Sequence, residues 1–162
     1  VNDERIRALE IIEAQEGSGP VPILSGDAPL RLLAGTHRIA MVGASANEAR
    51  PSHGVMRFLV ASGYEVVPIN PRCVEVLGQR SYPTLEEATQ ATGRFDLVDV
   101  FRRPEHTPDI ARSAVSTGAA ALWLQLGVVN WEAARIAHEA GLPVVMDRCT
   151  AIEHRRLALK RG

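Results

Sequence analysis

The residues of this chain that can do chemistry stand behind five short apolar runs. The runs are Arg38–Gly43, Glu65–Asn70, Asp96–Phe101, Ala121–Gln125 and Pro143–Asp147. Behind the first comes Gly43-Ala44-Ser45, followed by Arg50-Pro51-Ser52-His53. A glycine lets the backbone turn tightly and approach an anion, hydroxyls donate to its oxygens, and a guanidinium supplies charge. A helix opening near Ser52 adds its unsatisfied N–H groups and its dipole. Gly43, Ala44, Ser45, Arg50 and Ser52 therefore make a candidate cradle for a diphosphate. The glycine spacing is not the GxGxxG of a dinucleotide-binding turn. The same stretch also reads as a plain strand-to-helix turn, with Ser52 as the helix cap and His53 as a solvated residue beside it.

The second run ends in Asn70-Pro71-Arg72, with no carboxylate before Glu75. A sheet that binds NAD usually carries Asp or Glu at this place to accept from the ribose 2′-OH. Arg72 instead suits a ribose phosphate, as in NADP or the 3′-phosphate of coenzyme A. A solvated arginine on a proline-stiffened loop is the other reading. Phe101-Arg102-Arg103-Pro104-Glu105 brings two guanidinia next to a turn, where Pro104 and Glu105 suit the start of a helix. These arginines read either as ligand contacts or as a solvated cluster. Gln125 closes the fourth run. At the fifth, Thr150-x-x-Glu153 has capping-box spacing. Cys149 stands just before that cap and beside Arg148, a setting that activates a thiol. The alternative for Cys149 is a small buried apolar residue at a strand end.

Other chemistries are excluded. Lys160 is the only lysine, so the other 17 of the 18 basic residues are arginines. No Schiff-base or P-loop lysine is available in the body of the chain. HExxH, GxSxG and clustered Cys/His patterns are absent, so neither a metal site nor serine hydrolysis is expected. The five histidines show no paired ligand spacing, and no catalytic set assembles. Two cysteines, Cys73 and Cys149, are too few for a disulfide scaffold. The formal charge of −1 removes the basic bias of a nucleic-acid binder. The longest apolar stretch, Ala119 to Val129, is cut by Gln125 and falls short of a membrane span. The charged start Val1-Asn2-Asp3-Glu4-Arg5 lacks the apolar core of a signal peptide, so a cytoplasmic location is expected.

What positions these residues is an alternation of strands and helices. At 162 residues and 46% apolar content the chain has room for one domain with a real core. Ile39-Ala40-Met41-Val42 does not alternate polar with apolar, as expected of a central strand covered on both faces. Between the five runs the spacing predicts helices at 53–62, 84–91, 107–117 and 131–140, and a last helix at 151–159. Repeated β-α units give a Rossmann-like, doubly wound parallel α/β sheet of five to six strands with helices on both faces. A weak sixth strand falls in Val74–Tyr82. Residues 1–35 read as an N-terminal helical extension, with helices at 2–16 and 29–34, and residues 36–162 as the Rossmann-like domain. Ile6, Leu9, Ile12 and Ile11 give the first helix its apolar spacing. Sheets of this kind bind ligands at the carboxyl ends of their strands, where all the groups above converge.

Taken in order, Val42-Gly43-Ala44-Ser45, Arg50-Pro51-Ser52, Gly63-Tyr64-Glu65-Val66 and Asn70-Pro71 resemble the stand-alone CoA-binding domain family. Asp99-Val100-Phe101-Arg102-Arg103-Pro104, Trp123-Leu124-Gln125-Leu126-Gly127 and Asp147-Arg148-Cys149 continue the likeness, which covers residues 30–157. The family's Rossmann-type fold is also the nucleotide-binding domain of the succinyl-CoA synthetase alpha subunit. The resemblance implies that Gly43, Ser45, Arg50 and Ser52 hold the pyrophosphate of coenzyme A, with Ala44 among the cofactor-binding residues. It implies that Asn70, Pro71 and Arg72 border the adenosine and its 3′-phosphate. Phe101, Arg102, Arg103 and Pro104 would line the pantetheine path and leave the thiol near Gln125 or Cys149. The expected function is binding of coenzyme A or an acyl-CoA without catalysis, as a carrier or as a redox sensor through Cys149. The alternative is an NADP-dependent oxidoreductase or acyl-CoA-processing enzyme, for which only His53 or Asp147 is placed as general acid or base. The helix at 2–16 either caps its own domain or serves as the contact for a second copy or another protein.

Overall fold

The computed structural model describes residues 2–161; Val1 and Gly162, the outer limits given above to the extension and the domain, lie outside the described residues. The elements run α1 (Asn2–Glu16), α2 (Ala28–Ala34), β1 (Arg38–Val42), α3 (Pro51–Ala61) and β2 (Glu65–Ile69). Next come β3 (Glu75–Val76), β4 (Gln79–Arg80), α4 (Leu85–Thr92), β5 (Leu97–Val100) and a 3-10 turn at Pro104–His106. The chain closes with α5 (Thr107–Ser116), β6 (Leu122–Leu124), α6 (Trp131–Glu139), β7 (Val144–Val145) and α7 (Thr150–Arg161).

Five strands form one parallel sheet in the order β2-β1-β5-β6-β7, the expected doubly wound α/β arrangement. Ala40, Val42, Val67, Ile69, Val98, Val100, Leu122 and Leu124 join one apolar cluster, with side chains from α1, α4, α5 and α6. Ile39, Met41, Val66, Leu97, Trp123 and Val145, which alternate with them along the strands, join a second, with α2, α3 and α7. Each strand is thus apolar on both sides because helices cover both sides. The order reverses between β1 and β5, since the chain leaves β1 for β2 and returns to the opposite edge of β1. The register sets Val42 beside Ile69 and Val100, and Val100 beside Leu124, so four strand ends stand in a row.

Residues 74–82 depart from the single edge strand expected of them. They fold as a small antiparallel hairpin of β3 and β4 outside the main sheet. The reason is local: Leu77 (φ 49) and Gly78 (φ 76) are consecutive positive-φ residues, which is what a tight two-residue hairpin turn demands. Only Tyr82 reaches the edge of the main sheet, through an isolated parallel bridge to Ile69.

The first 35 residues are held against the sheet. Ala14 is buried and Ile11 packs on the cluster with it, whereas Ile6, Leu9 and Ile12 face outward, so α1 seats on its 11–14 side. Leu24 N–H donates to Val144 O at 2.8 Å, beside the last strand. A Cβ on Gly19 would lie 2.1 Å from the Trp131 ring, so the linker passes flat across that indole.

Candidate functional site

The row of strand ends is tied together mainly by backbone. Gly43, at φ +87, lies so close to the end of β5 that a Cβ there would be 2.3 Å from Phe101 O. Its N–H donates to Ile69 O at 2.9 Å, and Phe101 N–H donates to Val42 O at 2.8 Å. Asn70 Nδ2 donates to Ala44 O at 2.7 Å, and Asn70 Oδ1 accepts from Arg72 N–H at 2.9 Å. Three loops that are distant in sequence, after β1, β2 and β5, therefore meet at the point where the strand order reverses.

The first loop closes on its own serines. Ser52 Oγ accepts from Ser45 N–H at 3.1 Å, and Ser45 Oγ accepts from Asn47 N–H at 3.0 Å. Ser52 is therefore not the helix cap. Arg50 occupies that position with extended backbone, followed by Pro51 as the first helical residue, which proline suits because its missing N–H would have no partner there. Both hydroxyls accept within the loop, and the Arg50 side chain is exposed in front of α3. His53, expected to be solvated, is 5% exposed, and its Nδ1 is one of two buried side-chain atoms without a partner among the described residues.

The two arginines after β5 go separate ways. Arg102 lines a cleft of about 190 Å³ with Val42, Ile69 and Leu85, beside the first two strand ends. Arg103 and Pro104 line a larger cleft of about 490 Å³, whose far wall is Arg7, Glu10 and Ile11 of α1. Gly127 and Val129, after β6, complete it. Arg72, after Pro71, is exposed at the outer end of the row.

Gln125 and Cys149 sit in a different environment. Gln125 is 4% exposed, and its Nε2 donates to Asp99 Oδ1 at 2.6 Å and to Thr150 Oγ1 at 3.0 Å. Thr150 Oγ1 donates to Asp99 Oδ2 at 2.9 Å. The Thr150-x-x-Glu153 spacing accordingly does not form a capping box. The threonine hydroxyl is taken by Asp99, and Glu153 pairs with Arg148 at 3.5 Å and Arg156 at 2.5 Å. Burial of Asp99 in the centre of the sheet pushes its carboxyl up to about 7, against the opposing pull of the hydrogen bonds from Gln125 and Thr150. Cys149 is 8% exposed, and the Arg148 guanidinium beside it is directed to Glu153 and to Gly26 O. Asp147 has left-handed backbone (φ 56), an uncommon and strained state for a residue with a side chain. Its Oδ1 accepts from Gly127 N–H at 2.7 Å and its Oδ2 from Gln15 Nε2 at 2.9 Å, so one carboxylate clamps both the β6 loop and α1.

Of the residues singled out from sequence, Gly43, Ala44, Ser45, Ser52, Asn70 and Phe101 are joined by direct contacts. Arg50, Pro71 and Arg72 stand at the exposed margin, Arg102, Arg103 and Pro104 divide between two clefts, and Gln125 and Cys149 lie at the β6 and β7 end. Sequence reading passed over Asp99 as a working residue, although a lone aspartate inside Leu97-Val98-Asp99-Val100 was a signal. It also gave α1 no part in the site, and nothing in the motif order would have done so.

A family model described as a CoA binding domain matches residues 37–155. The chain belongs to the CoA binding domain family. Coenzyme A is therefore the ligand to which this CoA binding domain is matched. The Bacillus subtilis (strain 168) protein YneT, itself uncharacterized, is 39% identical over 123 residues, 76% of this chain and 89% of that protein. A solved structure of a hypothetical protein from Pyrococcus horikoshii OT3 is 37% identical with a TM-score of 0.77, covering 82% of this chain and 92% of that one. The dinucleotide-forming acetyl-coenzyme A synthetase 1 of Ca. Korarchaeum cryptofilum shares the fold, with a TM-score of 0.61 at 22% identity over 71% of this chain and 27% of the larger one. No helix of the CoA binding domain among its described residues is long and apolar enough to cross a membrane.

Proposed function

We propose that the chain binds coenzyme A or an acyl-CoA along the carboxyl edge of the sheet, without catalysis of its own. The observation that carries this is the joining of the loops after β1, β2 and β5 at the strand-order reversal, through Gly43, Asn70 and Phe101. In this reading Gly43, Ala44, Ser45, Arg50 and Ser52 hold the diphosphate at the N-terminus of α3, where N–H groups and dipole favour an anion. Asn70, Pro71 and Arg72 border the adenosine and its 3′-phosphate, and Phe101 to Pro104 guide the pantetheine arm towards the β6 and β7 end. Residues 36–162 form the binding domain and 1–35 an extension of it.

Isothermal titration with CoA, 3′-dephospho-CoA, NAD and NADP tests this. CoA is expected to bind, and removing the 3′-phosphate is expected to weaken binding roughly tenfold through loss of the charge-assisted contact with Arg72. Tight NADP binding with silent CoA would overturn the reading in favour of a hydride-transfer enzyme.

A carrier or redox-sensing role through Cys149 is the finer form of the proposal. A Cys149 thiolate attacking the disulfide of CoA forms a protein–CoA mixed disulfide and releases one CoA thiolate, so no external oxidant is needed. Intact-mass measurement after exposure to CoA disulfide is expected to show a reducible CoA adduct that is absent from Cys149→Ser. An adduct that persists in that variant, or none in the intact chain, would sink the sensor role and leave binding untouched.

A further inference from the structure

We infer that α1 is the outer wall of the compartment for the thiol end of the ligand, and that Arg7 and Glu10 favour thioesters with a short polar acyl group over those with a long alkyl chain. The inference rests on the CoA-binding reading above and adds the class of acyl group.

The larger cleft lies between α1 and the ends of β5 and β6, at the end of the proposed pantetheine path. Its volume of about 490 Å³ is in the range of pockets that enclose whole small molecules, more than a bare thiol fills. Four of the side chains that line it are charged: Arg7 and Glu10 from α1, Arg103 and Glu105 from the β5 end. Among the described residues none of these four takes part in an ion pair. Arg7, Arg103 and Glu105 are exposed and Glu10 is half-buried, with Ile11, Pro104 and Val129 between them, so an alkyl chain lying here would displace water from around charged groups and return no hydrogen bond to them. A polar acyl group offers acceptors to the two guanidinia and, where it carries hydroxyl or amide hydrogens, donors to the two carboxylates. Gln15 to Asp147 fixes the C-terminal end of α1, and Ala14 beneath it is buried, so the wall is seated. This wall lies before residue 37, where the family match begins.

The intact chain and an Arg7→Ala/Glu10→Ala double variant are titrated with CoA, acetyl-CoA, 3-hydroxybutyryl-CoA and octanoyl-CoA. The intact chain is expected to bind 3-hydroxybutyryl-CoA, whose hydroxyl both accepts and donates, more tightly than octanoyl-CoA. The double variant is expected to lose roughly tenfold in affinity for 3-hydroxybutyryl-CoA, and less than about threefold for CoA, as removal of charge-assisted contacts to the acyl group alone predicts. A preference of the intact chain for octanoyl-CoA, or equal losses on CoA and 3-hydroxybutyryl-CoA, would overturn the inference. The urea midpoint of the variant is expected to be unchanged, since alanine suits a helix at both positions; a lowered midpoint would assign these side chains to folding and overturn it too. If the intact chain binds CoA yet the variant is indistinguishable on every ester, only the role of α1 fails. If the intact chain binds no CoA, the underlying reading fails with it.

Discussion

Gly43→Ala is expected to destabilise the fold by roughly 2–4 kcal/mol and to abolish CoA binding. Two effects add. At φ +87 any side chain is strained, and the new Cβ would stand 2.3 Å from Phe101 O, a backbone oxygen that cannot swing aside. Relief requires the loop after β1 to move off the end of β5, which breaks Gly43 N–H to Ile69 O and Asn70 Nδ2 to Ala44 O. The melting temperature should fall by roughly 5–15 °C for a chain of this size. Gly63 supplies the comparison. Its φ is +101, yet a Cβ there meets nothing within 4 Å. Gly63→Ala should cost only the conformational part, about 1 kcal/mol, and leave binding intact. Urea unfolding and CoA titration of both variants decide the matter: if they behave alike, the close approach at Gly43 has no special role.

The second large effect is a pH dependence centred on Asp99. In the fold its carboxyl keeps its proton up to about pH 7, whereas in the unfolded chain it ionises near the ordinary value of 3.8. Between those values the native state holds a proton that the unfolded state has lost, so stability falls as pH rises through the window from 3.8 to about 7 and then levels off. The steepest slope is roughly 1.4 kcal/mol per pH unit. Asp99→Asn copies the neutral form in size and in offering one acceptor and a donor, the donor facing Thr150 Oγ1 once that hydroxyl turns to accept, so it should remove the slope and be more stable than the parent at pH 8. Asp27 and Asp96 have their carboxyls held below the ordinary value, by Lys160 in the first case and by the Arg38 and His37 backbone N–H groups, against burial, in the second. Their contributions have the opposite sign and are common to both proteins, so the difference between the two profiles isolates Asp99. Chemical denaturation at pH 4, 6 and 8 is the measurement. Parallel profiles would mean that Asp99 ionises in the fold as it does in water.

The strands were legible in sequence because a fully covered parallel strand is a short uninterrupted apolar run, and Ile39 to Val42 is one. The loops after those runs were legible for the same reason, since topology sends every one of them to the same edge. What stayed hidden depends on partners rather than patterns. Ser52 resembles a cap in any local reading, and only the fold shows Ser45 N–H claiming its oxygen. Thr150 was matched to Glu153 by spacing, but the sheet supplies Asp99, and a buried carboxyl takes precedence over a local cap. The 77–78 turn needed leucine in a conformation that leucine seldom adopts, so residues 74–82 read as a single strand. For α1, Ile6, Leu9 and Ile12 looked like the buried stripe, and the tertiary contacts chose Ile11 and Ala14.

The bond between Gln15 and Asp147 spans 132 positions of sequence, and Leu24 finds its partner at Val144. During synthesis α1 emerges before every strand of the sheet, yet the residues that receive it follow only after all five strands have begun to leave the ribosome. Helices form early and locally, while parallel pairing must wait for distant chain. A helix made before the sheet is thus among the last of these elements to reach its place, and the larger cleft does not exist until β7 and Asp147 have been made.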